Sequence, residues 1–267
     1  MTWKNKFPKE NRYFETENGI LYKGDCLEIM KRFPKKFFDL VLTDPPYGNT
    51  SLKWDKLLSF EKIWKILKEI RKENATILLF AGEQFSPYLR MSNIKEFKYD
   101  LIWIKNTTGC FFQAKYRPLN YIEYINVFGK FGVNSGCKIK PKYYPQTIKK
   151  VNLEKITGSY AETELGKAKK SSLKKGKPYI QKYSGYPNNL LYFKNDDRGL
   201  HPTQKPLALI EYLVKTYTLE NDVVLDFTCG SGTSLVACEK LNRRWIGIEI
   251  EEKYCKIAKQ RIKEIKK

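Results

Sequence analysis

Short apolar runs alternate with helix-period segments along most of this chain, and that alternation restricts its fold more than any other feature. FFDLVLTD (37–44) is apolar almost throughout, as a strand covered on both faces must be. FEKIWKILKEIRK (60–72) follows, with Ile63, Trp64, Ile66, Leu67 and Ile70 spaced along one helix face. ILYKGD (20–25), ATILLF (75–80), FKYDLIWIK (97–105), YIEYINVFGK (121–130) and NLLYF (189–193) read as further strands, and CLEIMKRF (26–33) and EQFSPYLRMSNI (83–94) as helices. Toward the end come a helix over 206–217 opened by Pro206, a strand–turn–helix over 222–241, a strand over 244–250 and a helix over 251–265. Buried strands alternating with helices predict an α/β fold built on a parallel, doubly wound sheet.

The pattern breaks between the two ends. Residues 130–198 hold sixteen Lys and Arg against five Asp and Glu, about half of the chain's formal net charge of +21. Tyr143, Tyr144, Tyr160, Tyr179, Tyr183 and Tyr186 are interleaved with these cations. A basic tract carrying rings suits a nucleic-acid surface better than a plain linker. We therefore expect three parts: 1–129, an inserted region 130–198, and 199–267. Lys115 and Arg117, outside the insertion, are further candidates for the phosphate backbone.

Several chemistries are disfavoured. None of the six cysteines forms a C-x-x-C pair and His201 is the single histidine, so no metal site is expected. No secretory h-region or membrane-length apolar run appears, and a cytoplasmic protein with reduced thiols is expected.

Two turns carry the candidate chemistry. DVVLDF runs into T-C-G-S-G-T and a helix, the layout of a nucleotide pocket, and Glu249 ends the next strand where a ribose would lie. A dinucleotide fold would place a third glycine at Leu235. Asp226 at the head of the turn disfavours a pyrophosphate and favours a cationic ligand such as S-adenosylmethionine. The second turn is DPPY, Asp44–Tyr47, in which two prolines stiffen the chain behind an acid. Asp25, at the end of a strand, offers an acceptor for an adenine amino group or a cap for the helix after it.

DPPY at 44–47, DFTCGSGTS at 226–234, HPTQKP at 201–206 and GD at 24–25 together resemble the amino-group DNA methyltransferases, which methylate exocyclic nitrogens of adenine or cytosine. The catalytic motif precedes the cofactor turn, the β arrangement of that family. The resemblance implies a circularly permuted, Rossmann-like S-adenosylmethionine methyltransferase sheet with the target-recognition region inserted between its halves. It implies that Asp44 and the Pro45 carbonyl accept from the target amine, that Pro46 stiffens the loop, and that Tyr47 stacks on a flipped base. Asp226, Phe227, Gly230, Gly232 and Thr233 would shape the cofactor pocket, with Glu249 on the ribose and Asp25 on the adenine. Thr203 and Lys205 would hold the methionine carboxylate. Trp54 is a candidate second face for the base, although loop packing suits it better, and His201 is structural or part of the cofactor stretch.

Two acceptors on an exocyclic amine turn its hydrogens and localise its lone pair toward the methyl donor, so no covalent enzyme intermediate is needed. Within the family that the sequence resembles, an acid at the first motif position implies adenine N6, with cytosine N4 as the alternative and a non-catalytic nucleic-acid-binding protein as the remote one. Duplex DNA is the expected partner, and a cognate restriction endonuclease and a second copy of the chain are further candidates.

Overall fold

The computed structural model describes residues 3–48, 57–108, 111–134, 136–156, 178–195 and 204–265. Two compact units make up the chain, one of residues 1–144 and 189–267 and one of residues 145–188.

The larger unit begins with β1 (Arg12–Glu15), β2 (Gly19–Lys23), α1 (Cys26–Met30), β3 (Phe38–Thr43), α2 (Phe60–Ile70) and β4 (Arg71–Ala81). α3 (Phe85–Ser92), β5 (Phe97–Ile104) and β6 (Ile122–Phe128) complete its first part. The smaller unit contains β7 (Lys149–Ile156) and β8 (Pro178–Ser184). The chain then returns as β9 (Leu190–Tyr192), α4 (Leu207–Tyr217), β10 (Val223–Asp226), α5 (Thr233–Lys240), β11 (Arg244–Glu249) and α6 (Glu252–Ile265).

Among the described residues one sheet holds nine strands in the order β1-β2-β11-β10-β3-β4-β6-β5-β9. Strand residues alternate between two cores. Leu40, Leu42, Leu78, Phe80 and Val224 pack with α4, α5 and α6 through Leu213, Leu235 and Ile262. Phe38, Val41, Ile77, Leu79 and Leu225 pack with α1, α2 and α3 through Ile29, Leu67 and Leu89. Helices on both faces explain why all six residues of β3 are buried.

The doubly wound sheet is present, and it is mixed rather than all parallel. β1 runs antiparallel to β2, and β6 runs antiparallel to both β4 and β5. β10 and β11, from the end of the chain, lie between β2 and β3, all parallel. From β3 the sheet continues one way to β4, and from β10 the other way to β11. The crevice at such a reversal, outside the carboxyl ends of the strands, is where open α/β sheets bind ligands.

Local boundaries differ in informative ways. α2 stops at Ile70 and the chain turns straight into β4, because the buried Arg71 is pinned by Glu96 through two 2.6 Å hydrogen bonds. Pro206 caps α4 and does not occupy its first turn. Parts of 130–198 belong to the larger compact unit. Phe131 is fully buried, Tyr144 N donates to Thr216 O at 2.7 Å, and β9 pairs with β5. Lys142 also reaches the buried Asp39 at 2.7 Å and Asp222 at 2.6 Å.

The smaller unit is an antiparallel pair, β7 with β8, broken by one register shift. Tyr179, Ile180, Tyr183 and Leu153 on it are exposed. Among the described residues no helix is long and apolar enough to cross a membrane, and Cys26, Cys137, Cys229, Cys238 and Cys255 are free thiols.

Candidate active site

The site forms where β3 and β10 end side by side. Their register pairs Val224 with Leu40 and Leu225 with Val41, so Asp44 and Asp226 emerge at the same edge of the sheet. Thr228 stitches the two turns together, its hydroxyl donating to the Asp44 carbonyl at 3.1 Å. A cavity of about 360 Å³ opens there, a volume in the range of small-molecule pockets. Asp25, Asp44, Pro45, Pro46, Tyr47, Lys205, Asp226, Phe227, Gly230, Thr233 and Glu249 all line it. Gly232 does not face the cavity, and Thr203, His201 and Trp54 lie outside the described residues.

The glycine turn needs its glycines. Gly230 and Gly232 both have positive φ, 52° and 75°. A Cβ on Gly232 would meet Ala258 of α6 at 2.7 Å, so Gly232 sets the approach of α5 to α6. Arg261 of α6 secures the turn from outside, donating to Ser231 O at 2.8 Å and Thr233 Oγ1 at 2.9 Å. Glu249 closes the other wall, accepting from Gly230 N and Glu251 N, each at 2.8 Å. Burial raises its pKa, and those amides oppose the rise.

Asp226 is buried and fully engaged. It accepts from Thr43 Oγ1 at 2.6 Å, from Thr228 N at 3.2 Å and from the Ser234 hydroxyl. Burial raises its pKa to about 6 against the pull of these donors. Asp226 therefore ties β3, the turn and the first residues of α5 together. Asp25 caps α1, accepting from Glu28 N at 3.1 Å, while also lining the cavity.

The acid–Pro–Pro–Tyr loop sits in an ion cluster. Lys205 Nζ lies 2.5 Å from Asp44 Oδ2 and 3.0 Å from Glu123 Oε1. Lys105 Nζ takes the other oxygen of Glu123 at 2.7 Å. Tyr47 OH donates to Asp44 Oδ1 at 2.6 Å and reaches Glu123 at 3.2 Å. The Tyr47 ring stacks on Phe85, with centroids 4.9 Å apart. Two carboxylates and two ammonium groups balance, but not evenly. Burial tends to raise the Glu123 pKa, yet its two lysines outweigh that and hold it at about 2. Asp44 shares only one of those lysines, so burial and the neighbouring Glu123 charge leave its pKa raised. Burial would lower Lys205, and the two carboxylates more than reverse that. Burial and the same two carboxylates raise Tyr47 well above the ordinary phenol range.

Sequence reasoning missed Glu123 and Gln204. Glu123 is a buried acid in the apolar strand IEYINVF, and that mismatch was the available signal. Gln204 lines the cavity, and its Oε1 is buried without a hydrogen-bond partner among the described residues.

A doubly wound sheet that sets a glycine turn against a stiff acid–Pro–Pro–Tyr loop has the layout of a nucleoside-cofactor site. The sequence pattern of the DNA methylase family with N6 and N4 specificity matches residues 38–260, and this chain belongs to that family. It is 27% identical to the Type II methyltransferase M2.LlaDCHI of Lactococcus lactis subsp. cremoris, over 94% of this chain and 91% of that one. It is 29% identical to M.HinfI of Haemophilus influenzae, over 93% of this chain and 69% of that one. Among solved structures, the PvuII DNA methyltransferase, described as cytosine-N4-specific, superposes with a TM-score of 0.67 at 20% identity, covering 95% of this chain and 89% of that one. The complex of M1.HpyAVI with SAM gives a TM-score of 0.58 at 26% identity, covering 90% and 98%.

Proposed function

We propose that this chain transfers the methyl group of S-adenosylmethionine to the exocyclic N6 of an adenine flipped out of duplex DNA. The observation that carries this reading is the placement of Asp44, at the rim of the glycine-turn cavity and on a loop that two prolines stiffen. The cavity residues suit the cofactor. Glu249, held by two amides, keeps lone pairs for a ribose diol, and Gln204 Oε1, which has no partner among the described residues, can accept from an ammonium group. Asp226, Phe227, Gly230, Gly232 and Thr233 shape the pocket, Asp25 serves the adenine, and Lys205 with Thr203 serves the methionine carboxylate. When bound, S-adenosylmethionine supplies an electrophilic methyl group on a sulfonium.

The chain's own residues prepare the amine. Asp44 and the Pro45 carbonyl accept its two hydrogens, which aims the lone pair out of the base plane. Lys205 occupies Asp44 Oδ2 and is shared with Glu123. A carboxylate bound at the same ammonium would draw it from Asp44 and leave Oδ2 open to the amine, while Glu123 keeps Lys205 in place. After transfer the amine sheds a proton, and the raised pKa of Asp44 lets it take that proton. Tyr47, already stacked on Phe85, extends the stack to a flipped base.

The basic insertion supplies the target-recognition surface, and the cytoplasm is the site of action. The Type II relatives suggest a cognate restriction endonuclease as a functional partner. Cytosine N4 is the second reading, because that amine presents the same pair of hydrogens to Asp44. Incubation with plasmid DNA and S-adenosylmethionine, followed by nucleoside analysis and single-molecule sequencing, decides between them. N6-methyladenine at one short sequence is the expected result. N4-methylcytosine would replace the adenine reading, and unmodified DNA would contradict methyl transfer.

A further inference from the structure

The segment between β5 and β6 presents three large aromatic side chains to solvent. Phe111 is 75% exposed, Phe112 74% and Tyr116 87%. Single exposed apolar residues are ordinary, but three within six positions mark an interaction surface. The segment is also ordered by its own hydrogen bonds. Phe111–Lys115 form a 3-10 turn, and Gln113 O accepts from Tyr116 N at 2.9 Å and Arg117 N at 3.0 Å. The Arg117 guanidinium holds the Gln113 side chain at 2.8 Å.

The stem of this loop is fixed to the active site. β5 runs antiparallel to β6, and β6 antiparallel to β4, so β5 ends at the same edge of the sheet as β3 and Asp44. Lys105 N donates to Tyr121 O at 2.7 Å across the base of the loop, and Lys105 Nζ pairs with Glu123. Asn195 braces the ascending side, with bonds to Asn106 Oδ1 at 2.7 Å and Thr107 Oγ1 at 2.8 Å. Glu123, two residues past the loop, touches both Tyr47 and Lys205. The segments flanking the aromatic head are therefore tied to the cluster of Asp44, Tyr47, Glu123 and Lys205.

The charge of the loop selects its occupant. Residues 105–121 contain Lys105, Lys115 and Arg117 and no acid. Rings flanked by cations fit a polyanion with stacked bases, and extrusion of a base leaves a gap that an apolar side chain can fill. We propose that Phe111, Phe112 and Tyr116 form a wedge that enters the base stack of duplex DNA and holds it open while the target base occupies the catalytic pocket. Lys115 and Arg117 seat the wedge on the flanking phosphates. This inference rests on the methyl-transfer reading and adds the element that keeps the duplex open.

The test compares wild-type protein with the Phe111→Ala/Phe112→Ala double variant and with Tyr116→Ala. Each is given two duplexes carrying the recognition sequence, one fully paired and one with the target base mispaired. A wedge supplies energy for unstacking, so the double variant should lose about tenfold or more in transfer rate on the paired duplex and recover most of it on the mispaired one. Tyr116→Ala should show the same pattern more weakly. Equal losses on both duplexes, or no loss, would overturn the proposal. Sedimentation of the same proteins covers the other occupant: a dimer that the double variant converts to monomer would make this patch an interface between two copies, and the wedge would be wrong. Wild-type protein that transfers no methyl group to either duplex sinks the functional reading itself.

Discussion

Asp44 and Asp226 end adjacent parallel strands, yet their surroundings are opposite. Asp226 is held by two hydroxyls and an amide, all neutral donors. Asp44 faces an ammonium group, a phenol and a second carboxylate within one cluster. The first arrangement joins three pieces of backbone. The second keeps an acid poised between partners that can be exchanged. Burial alone thus does not separate the two carboxylates, and the nature of their donors does.

The largest separation should come from alanine at each position. Asp44→Ala should abolish methyl transfer while cofactor titration and thermal melting show a folded, cofactor-binding protein. Asp226→Ala should instead orphan three donors and destabilise the fold, at about 1–3 kcal/mol for each buried group left unsatisfied. A D44A protein that fails to fold, or a D226A protein of normal stability, would erase the distinction.

The pH dependence of stability sharpens the same contrast. The raised folded-state pKa of Asp226, about 6 against an ordinary 3.8, means its contribution is fully present below the unfolded value and is lost as pH rises through about 6. Melting curves of wild type and Asp226→Asn should therefore diverge over that interval. The wild type should lose stability, and the neutral variant should not.

A smaller effect is expected from Glu123→Gln. The Glu123 charge helps to raise the Asp44 pKa, so its removal should move the acid limb of the rate profile to lower pH. Loss of one charged hydrogen bond, about 1.5 kcal/mol, should cost the rate about tenfold. A lower rate with an unmoved acid limb would limit Glu123 to packing. The smallest effect is that of a charge outside the pair. Lys155→Ala on β7 should leave the transfer rate of bound DNA unchanged and reduce the slope of log affinity against log salt by about 1. A change in transfer rate would tie that residue to the catalytic cluster.

The strands that build the site were legible because both faces of the sheet are covered, which leaves β3 and β10 as unbroken apolar runs. Their turns were legible because backbone rules, stiff prolines in one and glycines at positive φ in the other, determine residue type directly. Glu123 was not, because a lone acid in a strand acquires meaning only when Lys105 and Lys205 arrive from distant positions. The dual loyalty of Lys205 was hidden for the same reason. β7 and β8 were missed because their described side chains are largely exposed, apolar and polar alike, so no hydrophobic period marks them. The packing of Lys142 onto the larger unit rests on single contacts, such as that with Asp39, that composition averages away.

We propose that the Asp44 carboxylate prepares an exocyclic amine for direct transfer. Rapid-quench single-turnover transfer with Asp44→Asn, on DNA and S-adenosylmethionine already bound, tests it without interference from binding or product release. The account predicts a rate lower by about 10²–10³-fold or more, the worth of one preorganised group at a reacting centre. A rate close to that of the wild type would contradict it.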